Sequence, residues 1–190
     1  MPVDTEVILF GSKMEWTDWL EANHEFSGGI WMRIGRKKGG VISISYEDAL
    51  EIALCYGWID ALKKSFDTVS YLQRFTPRKP GSKWSVINRE KALMLIENGR
   101  MLPSGHATIK TAREKGTWER AYEPQSSIII PTDFSDELNK SQGATAFFES
   151  LDSRNQYAIL HHIQTAVKSE TRENRIRKFV AMLDARQKIY

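Results

Sequence analysis

The pattern of apolar and polar positions predicts a small sheet in the first half of the chain. Residues 5–10 (TEVILF) could form a short strand that Gly11 ends, and residues 30–34 alternate between apolar and polar side chains. Residues 41–44 repeat this alternation after two glycines, a spacing that would allow the two segments to pair as a hairpin. Residues 69–76 alternate again, which predicts another strand with successive side chains on opposite faces.

Helical patterns occupy the segments between and after these strands. Ser12 with Glu15 and Ser45 with Asp48 have the spacing of N-terminal helix caps. Glycine follows several of the helical stretches and is a common C-terminal cap. The helices predicted in this half run over 12–23, over 45–57, from Ser82 or Ser85 to Gly99, and over 103–116.

Beyond an irregular link that ends near residue 122, the patterns are helical only. Two helices are predicted over 134–140 and 144–151, and a third begins at Ser153 with Gln156 in its first turn. The last helix is amphipathic. Its predicted buried stripe consists of Ile176, Phe179, Val180 and Leu183.

These elements predict an α+β protein. Residues 1–122 would form a domain with a small antiparallel sheet and helices, and residues 123–190 an all-helical domain. At 190 residues, with 41% hydrophobic and 27% charged residues, the chain is long enough to bury a core and has an ordinary globular composition. A net charge of +3 is mild, well below the excess expected of a dedicated duplex-binding protein.

Cysteine content and hydropathy exclude further classes of protein. Cys55 is the one cysteine, so an intramolecular disulfide and a thiolate metal cluster are excluded, and a buried structural role is expected for it. No stretch approaches the roughly 18 apolar residues of a membrane span. The N-terminal segment lacks the flanks of a signal peptide, so the expected location is the cytoplasm.

The stretch from residue 60 to residue 100 is basic and is interleaved with aromatic residues. It holds nine Lys or Arg (63, 64, 74, 78, 79, 83, 89, 91 and 100) against four acids (60, 67, 90 and 97). Cations attract an anionic group, guanidinium forks orient it, and aromatic faces allow stacking. The predicted ligand-binding residues are Trp58, Asp60, Lys63, Arg74, Arg78, Lys83, Trp84, Ser85 and Asn88.

Within this set, Arg74 and Arg78 would hold the anion at the end of a predicted strand. Free N–H groups at the start of the helix near Ser85 would add to the site. We interpret residues 57–60 as a helix end and loop that bring Asp60 close enough to orient one of the arginines. Capping, core packing and structural salt bridges explain the same residues as well.

No catalytic residue, metal or cofactor is predicted. His161 and His162 are adjacent, so on a helix they point about 100° apart and do not share the face that an i, i+4 metal pair would. The sequence has no GxxxxGK[ST] phosphate loop and no nucleophile elbow. Cys55 has no base near it in the sequence.

Four segments occur in fixed order along the chain: SYEDALEIALCYGWIDALKKSFD, YLQRFTPRKPGSKWSVINREKALMLIENGRM, WERAYEP and FFESLDSRNQYAILHHIQTAVKSETRENRIRKFVAML. Together they resemble the YdeI/OmpD-associated proteins, also called the bacteriocin-protection family. The resemblance runs from about Met14 to the C-terminus. It implies cytoplasmic bacterial proteins that are linked to envelope stress and antimicrobial-peptide resistance, with no established reaction.

The leading hypothesis is a cytoplasmic, non-catalytic protein that binds a small anionic or peptide ligand and contributes to stress or antimicrobial resistance. One alternative is an enzyme that acts on a phosphorylated or carboxylated metabolite, with Asp60 as a possible base. Another is a single-stranded nucleic-acid-binding protein, which would need Trp58, Phe75 or Trp84 exposed along a basic groove. The oligomeric state stays open.

Overall fold

The computed structural model describes residues 7–125 and 127–190, which form four strands and eight helices. They divide into two compact units. The first unit comprises the residues up to Ser82 together with Glu90–Lys115, and the second comprises Lys83–Arg89 with Gly116–Tyr190. The α+β class is confirmed, since all strands lie in the first unit and the elements after residue 131 are helices. The domain boundary at residue 122 stays a prediction.

The first unit contains one four-stranded sheet. Its strands are β1 (Val7–Leu9), β2 (Ile30–Gly35), β3 (Trp58–Ser65) and β4 (Ser70–Pro77), in the order β1-β2-β4-β3. β1 lies parallel to β2, and the other two pairings are antiparallel. The sheet is therefore mixed rather than purely antiparallel. Residues 5 and 6 of the predicted first strand lie outside the described ranges.

The predicted hairpin between residues 30–34 and 41–44 is wrong. Residues 41–44 form no strand, because β1 and β4 occupy the two edges of β2. The segment is instead held by two isolated hydrogen bonds. The Ser43 hydroxyl accepts a hydrogen bond from the Gly35 N–H at 2.9 Å, and the Ile44 N–H donates to the Phe10 carbonyl at 2.8 Å.

Four helices accompany the sheet in sequence. They are α1 (Lys13–Asn23), α2 (Tyr46–Cys55), α3 (Val86–Glu97), whose first residues belong to the second unit, and α4 (Pro103–Glu114). The predicted caps are confirmed for α1 and α2. The Ser12 hydroxyl accepts from the Glu15 N–H and the Ser45 hydroxyl accepts from the Asp48 N–H, so each helix begins where its first free donors find a local acceptor.

The core of the first unit lies between the sheet and α1 and α2. Trp16 is fully buried, with its ring centroid 6.3 Å from that of Trp58 and 5.6 Å from that of Phe75. Its indole N–H donates to the Ala49 carbonyl on α2 at 3.0 Å. Each fully buried aromatic side chain contributes about 1.5–3 kcal/mol by apolar burial, so this cluster fixes which face of the sheet the helices cover.

Gly57 connects α2 to β3 and contacts α4. Its φ of +73° is in the left-handed region, which only glycine adopts without strain. A Cβ at this position would lie 2.7 Å from the Thr108 methyl carbon and 2.8 Å from the Ser104 carbonyl oxygen. The sequence needs glycine here for two reasons, the backbone conformation and the close approach of α4.

The second unit is built from α5 (Thr132–Leu138), α6 (Gln142–Ser150), α7 (Ser153–Gln164) and α8 (Ser169–Asp184). α7 begins at Ser153 as predicted, and Asp152 caps it by accepting the Asn155 N–H at 2.7 Å. The predicted stripe of α8 is confirmed, although Val180 is only partly buried. Residues that share the core of this unit are Phe134, Leu138, Ala144, Phe148, Leu151, Ile159, Leu160, Ile163, Ile176, Phe179 and Leu183.

Candidate functional site

The two faces of the sheet carry different chemistry. Residues directly opposite each other on paired strands share a face, and the register pairs Trp31 with Arg74, Arg33 with Leu72, and Lys64 with Leu72. We call the face formed by these five residues the basic face. The other face contacts Trp16 through Trp58 and Phe75, and we call it the helix face.

Cations on the basic face lie over aromatic rings. The Lys64 Nζ is 4.1 Å from the Trp31 ring centroid, and the Arg74 Cζ is 5.8 Å from the same centroid. The Arg33 Cζ is 5.1 Å from the ring centroid of Phe66, which is half exposed. These distances are typical of cation–π contacts. The face therefore presents three positive groups beside two aromatic rings.

The turn between β3 and β4 holds Arg33 in place. One oxygen of Asp67 accepts from the N–H groups of Val69 and Ser70 and from the Ser70 hydroxyl, at 2.9, 2.6 and 2.7 Å. The other oxygen pairs with the Arg33 guanidinium at 2.9 Å. The hydrogen bond from the Ser70 hydroxyl lowers the pKa of the Asp67 carboxyl most, and the two backbone N–H groups and the Arg33 charge lower it further. Asp67 therefore stays ionised and orients Arg33 at the end of the basic face.

The predicted site residues of the first unit do not share a surface. Asp60 and Lys63 pair with Phe75 and Gln73 and so lie on the helix face, whereas Arg74 lies on the basic face. The proposed orientation of Arg74 by Asp60 is wrong for this reason. Asp60 instead accepts a hydrogen bond from the Tyr46 hydroxyl at 2.8 Å.

The loop predicted around residues 57–60 is also corrected, because Trp58 begins a strand. Trp58 is 1% exposed, and its indole N–H donates to the His24 carbonyl at 3.2 Å. Arg78 directly follows β4 and is largely buried. Its backbone N–H donates to the Gly57 carbonyl at 3.0 Å. The Arg78 side chain lines a cleft of about 140 Å³ together with Lys79 and Thr108.

The other predicted residues, Lys83, Trp84, Ser85 and Asn88, belong to the second unit. Trp84 is 3% exposed and meets Trp118 edge to face, with centroids 4.8 Å apart. The Ser85 hydroxyl accepts the Asn88 N–H, and the Val86 N–H donates to the Tyr122 carbonyl. Two of the helix N-terminal donors are thus bonded within the protein. Ligand binding by these residues stays a prediction.

The ligand-binding residues predicted from the sequence did not include Trp31, Arg33 and Lys64. Trp58, Phe75 and Trp84 are buried, so none of them can stack on a nucleic-acid base. Trp31 is partly exposed beside two cations. The signal was present in the alternation of β2, where Trp31 shares its face with Arg33 and not with the apolar residues on either side.

The described ranges contain neither a metal-binding cluster nor a membrane-spanning helix. No group of three or more His, Cys, Asp or Glu side chains there could hold a metal ion. No helix in those ranges is long and apolar enough to cross a membrane.

Comparison with known families assigns each part of the chain separately. Residues 127–186 match the family model described as bacteriocin-protection, YdeI or OmpD-associated, which confirms the resemblance for this region. Residues 8–108, more than half of the chain, match a domain of unknown function (DUF8412). No curated protein and no solved structure matches the chain. The protein therefore belongs to the DUF8412 family and contains a YdeI/OmpD-associated, bacteriocin-protection domain at residues 127–186.

Proposed function

We propose that this protein is a cytoplasmic, non-catalytic binding protein for a small anionic ligand, which it holds on the basic face of the sheet. The observation that carries this proposal is the position of Trp31, with Lys64 and Arg74 both over its ring. Arg33 lies on the same face, two residues along β2.

This arrangement favours a ligand that joins a negative group to a planar ring. A cation–π contact at an exposed site contributes about 0.5–1 kcal/mol, whereas a hydrogen bond to a charged group contributes about 1.5–3 kcal/mol. Lys64, which is exposed, would therefore gain by turning from the Trp31 ring toward an anionic oxygen. The ring would then be open to stack on the planar part of the ligand. A mononucleotide is a small molecule with both features.

The carboxylates near the sheet support binding rather than catalysis. Asp67 is held ionised by three hydrogen bonds and by Arg33, so it is a poor proton acceptor. Asp60, the possible base of the enzyme hypothesis, is bonded to Tyr46 on the helix face. A general base has to reach the bound ligand, and Asp60 is on the wrong side of the sheet for a ligand on the basic face.

Single-stranded nucleic acid is the second candidate ligand, with the partly exposed Trp31 as the stacking ring in place of Trp58, Phe75 and Trp84, which are buried. The observation in its favour is that exposed apolar side chains continue along this side of the sheet. Phe66 is 50% exposed, and Val7 and Leu9, in register with Trp31 and Arg33, are 43% and 44% exposed. A surface of this extent would contact more than one nucleotide.

Calorimetric titration of the purified chain with a mononucleotide and with short single-stranded DNA tests both candidates. We expect Lys64→Ala to weaken nucleotide binding by about tenfold, the loss of one charge-assisted contact. Lys110→Ala removes the same charge from an exposed position on α4 and should leave the affinity unchanged. Equal losses in the two variants would show an effect of net charge only and would refute the proposed surface. Affinity that rises with strand length would select the second candidate.

The C-terminal match supports a biological role for this binding. The matched family is described as bacteriocin protection, and we propose that the chain contributes to resistance against such antimicrobial proteins or peptides. Bacterial cells that lack the gene should become more sensitive to bacteriocin, and the wild-type gene should restore resistance. If the Lys64→Ala gene restores resistance equally well, ligand binding on the basic face is not part of that role.

A further inference from the structure

A second concentration of positive charge lies within the second unit, around the histidine pair of α7. His161 has its ring centroid 4.7 Å from that of Tyr122 and 5.6 Å from that of Tyr157, and the two histidine rings are 6.1 Å apart. His162 also lies 5.9 Å from Phe179 on α8. The described contacts of the two imidazoles are thus with rings.

Arg175 of α8 is anchored beside this pair. Its Nη1 donates to the His162 carbonyl oxygen at 2.6 Å. This bond positions the guanidinium but does not neutralise it. Arg172, one turn earlier on α8, differs because it forms a two-pronged ion pair with Asp133 at 2.6 and 2.9 Å. Arg172 also donates to the Ile163 carbonyl oxygen, so the two arginines each bond a backbone carbonyl, but the described ion pair with a carboxylate belongs to Arg172.

The charged groups that act on the histidines come from three segments and are all cationic. The pKa of His161 is lowered mainly by burial, and the positive charges of Lys83, His162 and Arg175 lower it further. The pKa of His162 is also lowered mainly by burial, and the positive charges of Arg175, Lys83 and Lys178 lower it further. Tyr157 donates to the Glu123 carbonyl oxygen at 3.4 Å, while the Glu123 carboxylate accepts from the Ser127 hydroxyl at 3.1 Å. The described hydrogen bond of the Glu123 carboxylate is thus with a serine hydroxyl and not with a histidine.

We propose that His161, His162 and Arg175, with Lys83 adding to their field, bind a phosphate group, and that the affinity rises as the pH falls. This inference goes beyond the proposed function, because it concerns a different unit of the chain and a compact ion rather than a planar ligand. Guanidinium and imidazolium groups both donate to oxyanions and form the stronger, charge-assisted class of hydrogen bond. A bound anion also relieves the mutual repulsion of the cluster.

The pH dependence follows from linkage. Each histidine is neutral at high pH, since burial and neighbouring cations oppose its charge. An oxyanion in contact with the ring favours the charged form, so binding takes up protons and tightens as the pH falls. Histidine is the side chain that titrates in the range from about pH 5 to 8. Sulfate keeps its charge over that range, whereas phosphate does not, which makes sulfate the cleaner probe.

Calorimetric titration of the full chain with sulfate at about pH 5.5 and pH 7.5, at constant ionic strength, tests the proposal. We expect affinity to be at least about tenfold higher at the lower pH, since protonated imidazole adds a charge-assisted hydrogen bond. His162→Gln, at an exposed position, should remove most of this difference without disturbing folding, and His161→Gln should do the same. His106→Gln, at an exposed position on α4, should leave it intact.

Three results would overturn the site. They are equal sulfate affinity at the two pH values, an unchanged pH dependence in both His161→Gln and His162→Gln, and the same loss in His106→Gln. Lys64→Ala should not alter sulfate binding, so failure here and failure of the basic face are distinguishable. Inorganic phosphate and phosphoserine, compared at the lower pH, then show whether the site prefers the free ion or an ester.

Discussion

The hydroxyl of Tyr46 on α2 donates a hydrogen bond to the carboxylate of Asp60 on β3, with 2.8 Å between the oxygens. Burial raises the pKa of Tyr46, and the charge of Asp60 raises it further. The bond joins a helix to an edge strand of the sheet, and its acceptor is the residue that the sequence marked as a ligand-binding acid. Its position on the helix face explains why it serves the fold.

Tyr46→Phe should lower the free energy of unfolding by about 1–2 kcal/mol at pH 7. A hydrogen bond to a charged acceptor contributes about 1.5–3 kcal/mol, and partial exposure of the pair reduces that value. Urea denaturation measures the change. Tyr71→Phe is the matched control, because no hydrogen bond to the Tyr71 hydroxyl contributes to its raised pKa. Equal losses in the two variants would contradict the assigned role of the Tyr46 bond.

The same bond gives a pH dependence. The pKa of Tyr46 is higher in the folded chain than in the unfolded chain, so its contribution is complete below the ordinary tyrosine pKa of about 10. The contribution is lost as the pH rises through the unfolded and then the folded value. The stability difference between wild type and Tyr46→Phe should therefore shrink above about pH 10. A constant difference across that range would show that ionisation of Tyr46 is not linked to folding.

Local signals in the sequence were sufficient for most helices. Ser12 and Ser45 were identified as caps because a hydroxyl followed three residues later by an acid satisfies the first free donors of a helix. Gly99 and Gly116, which close two other helical stretches, both have positive φ. These features depend on residues three or four positions apart, so no knowledge of the tertiary structure is needed.

Strand pairing and the composition of each face depend on distant residues and could not be derived in this way. Residues 61–66 are all exposed, and a register shift separates Asp60 from Lys63. Edge strand β3 therefore lacks the apolar alternation by which a strand is recognised. Without this strand, Asp60 could not be assigned to the face opposite Arg74. The parallel pairing of β1 with β2 has no local signal either.

Asp133→Asn should destabilise the chain by up to about 1 kcal/mol at pH 7, the usual range for an exposed ion pair. The Arg172 guanidinium bonds both oxygens of Asp133 and holds the pKa of that carboxyl below its ordinary value. A depressed pKa contributes stability above the unfolded value and loses it as the pH falls through the folded value. The difference between wild type and variant should thus shrink below the ordinary aspartate pKa of about 3.9 and vanish once the pH falls below the lower, folded value.

Chemical denaturation of both proteins at neutral and acid pH measures this effect. Asp136→Asn, at an exposed position on the same helix, removes an equal charge and should have little effect at either pH. If Asp133→Asn keeps its full loss in acid, the loss comes from packing or helix capping and not from the ion pair with Arg172.

Cys55 should be unreactive in the native chain. Its side chain is buried, and burial raises the pKa of the thiol. Since the thiolate is the reactive form, the raised pKa lowers the reactive fraction at neutral pH, and burial restricts access of the reagent. A disulfide reagent followed by absorbance should therefore label native protein at least about tenfold more slowly than protein in denaturant. Equal rates would show that Cys55 is accessible and ionised in the fold, and Cys55→Ala corrects for background.

Gly57→Ala should be among the most destabilising small substitutions in the first unit. The left-handed backbone adds about 1–2 kcal/mol for any residue with a Cβ, and a forced contact in a packed region adds about 1–3 kcal/mol. Gly40 separates the two effects. Its φ is +71°, but no atom lies within 4 Å of the Cβ that alanine would add. Gly40→Ala should therefore show the backbone effect alone, about 1–2 kcal/mol.

Urea denaturation of the two variants measures the difference, and a second substitution tests its cause. Thr108→Ser removes the methyl carbon that would lie 2.7 Å from the added Cβ, but the Ser104 carbonyl oxygen at 2.8 Å remains. Thr108→Ser should thus restore only part of the stability that Gly57→Ala loses, and it should restore none in Gly40→Ala. Equal losses in the two alanine variants would mean that α4 moves away without cost. If Thr108→Ser reduced the loss in Gly57→Ala to that of Gly40→Ala, the side chain of Thr108, and not the α4 backbone, would limit the approach to Gly57.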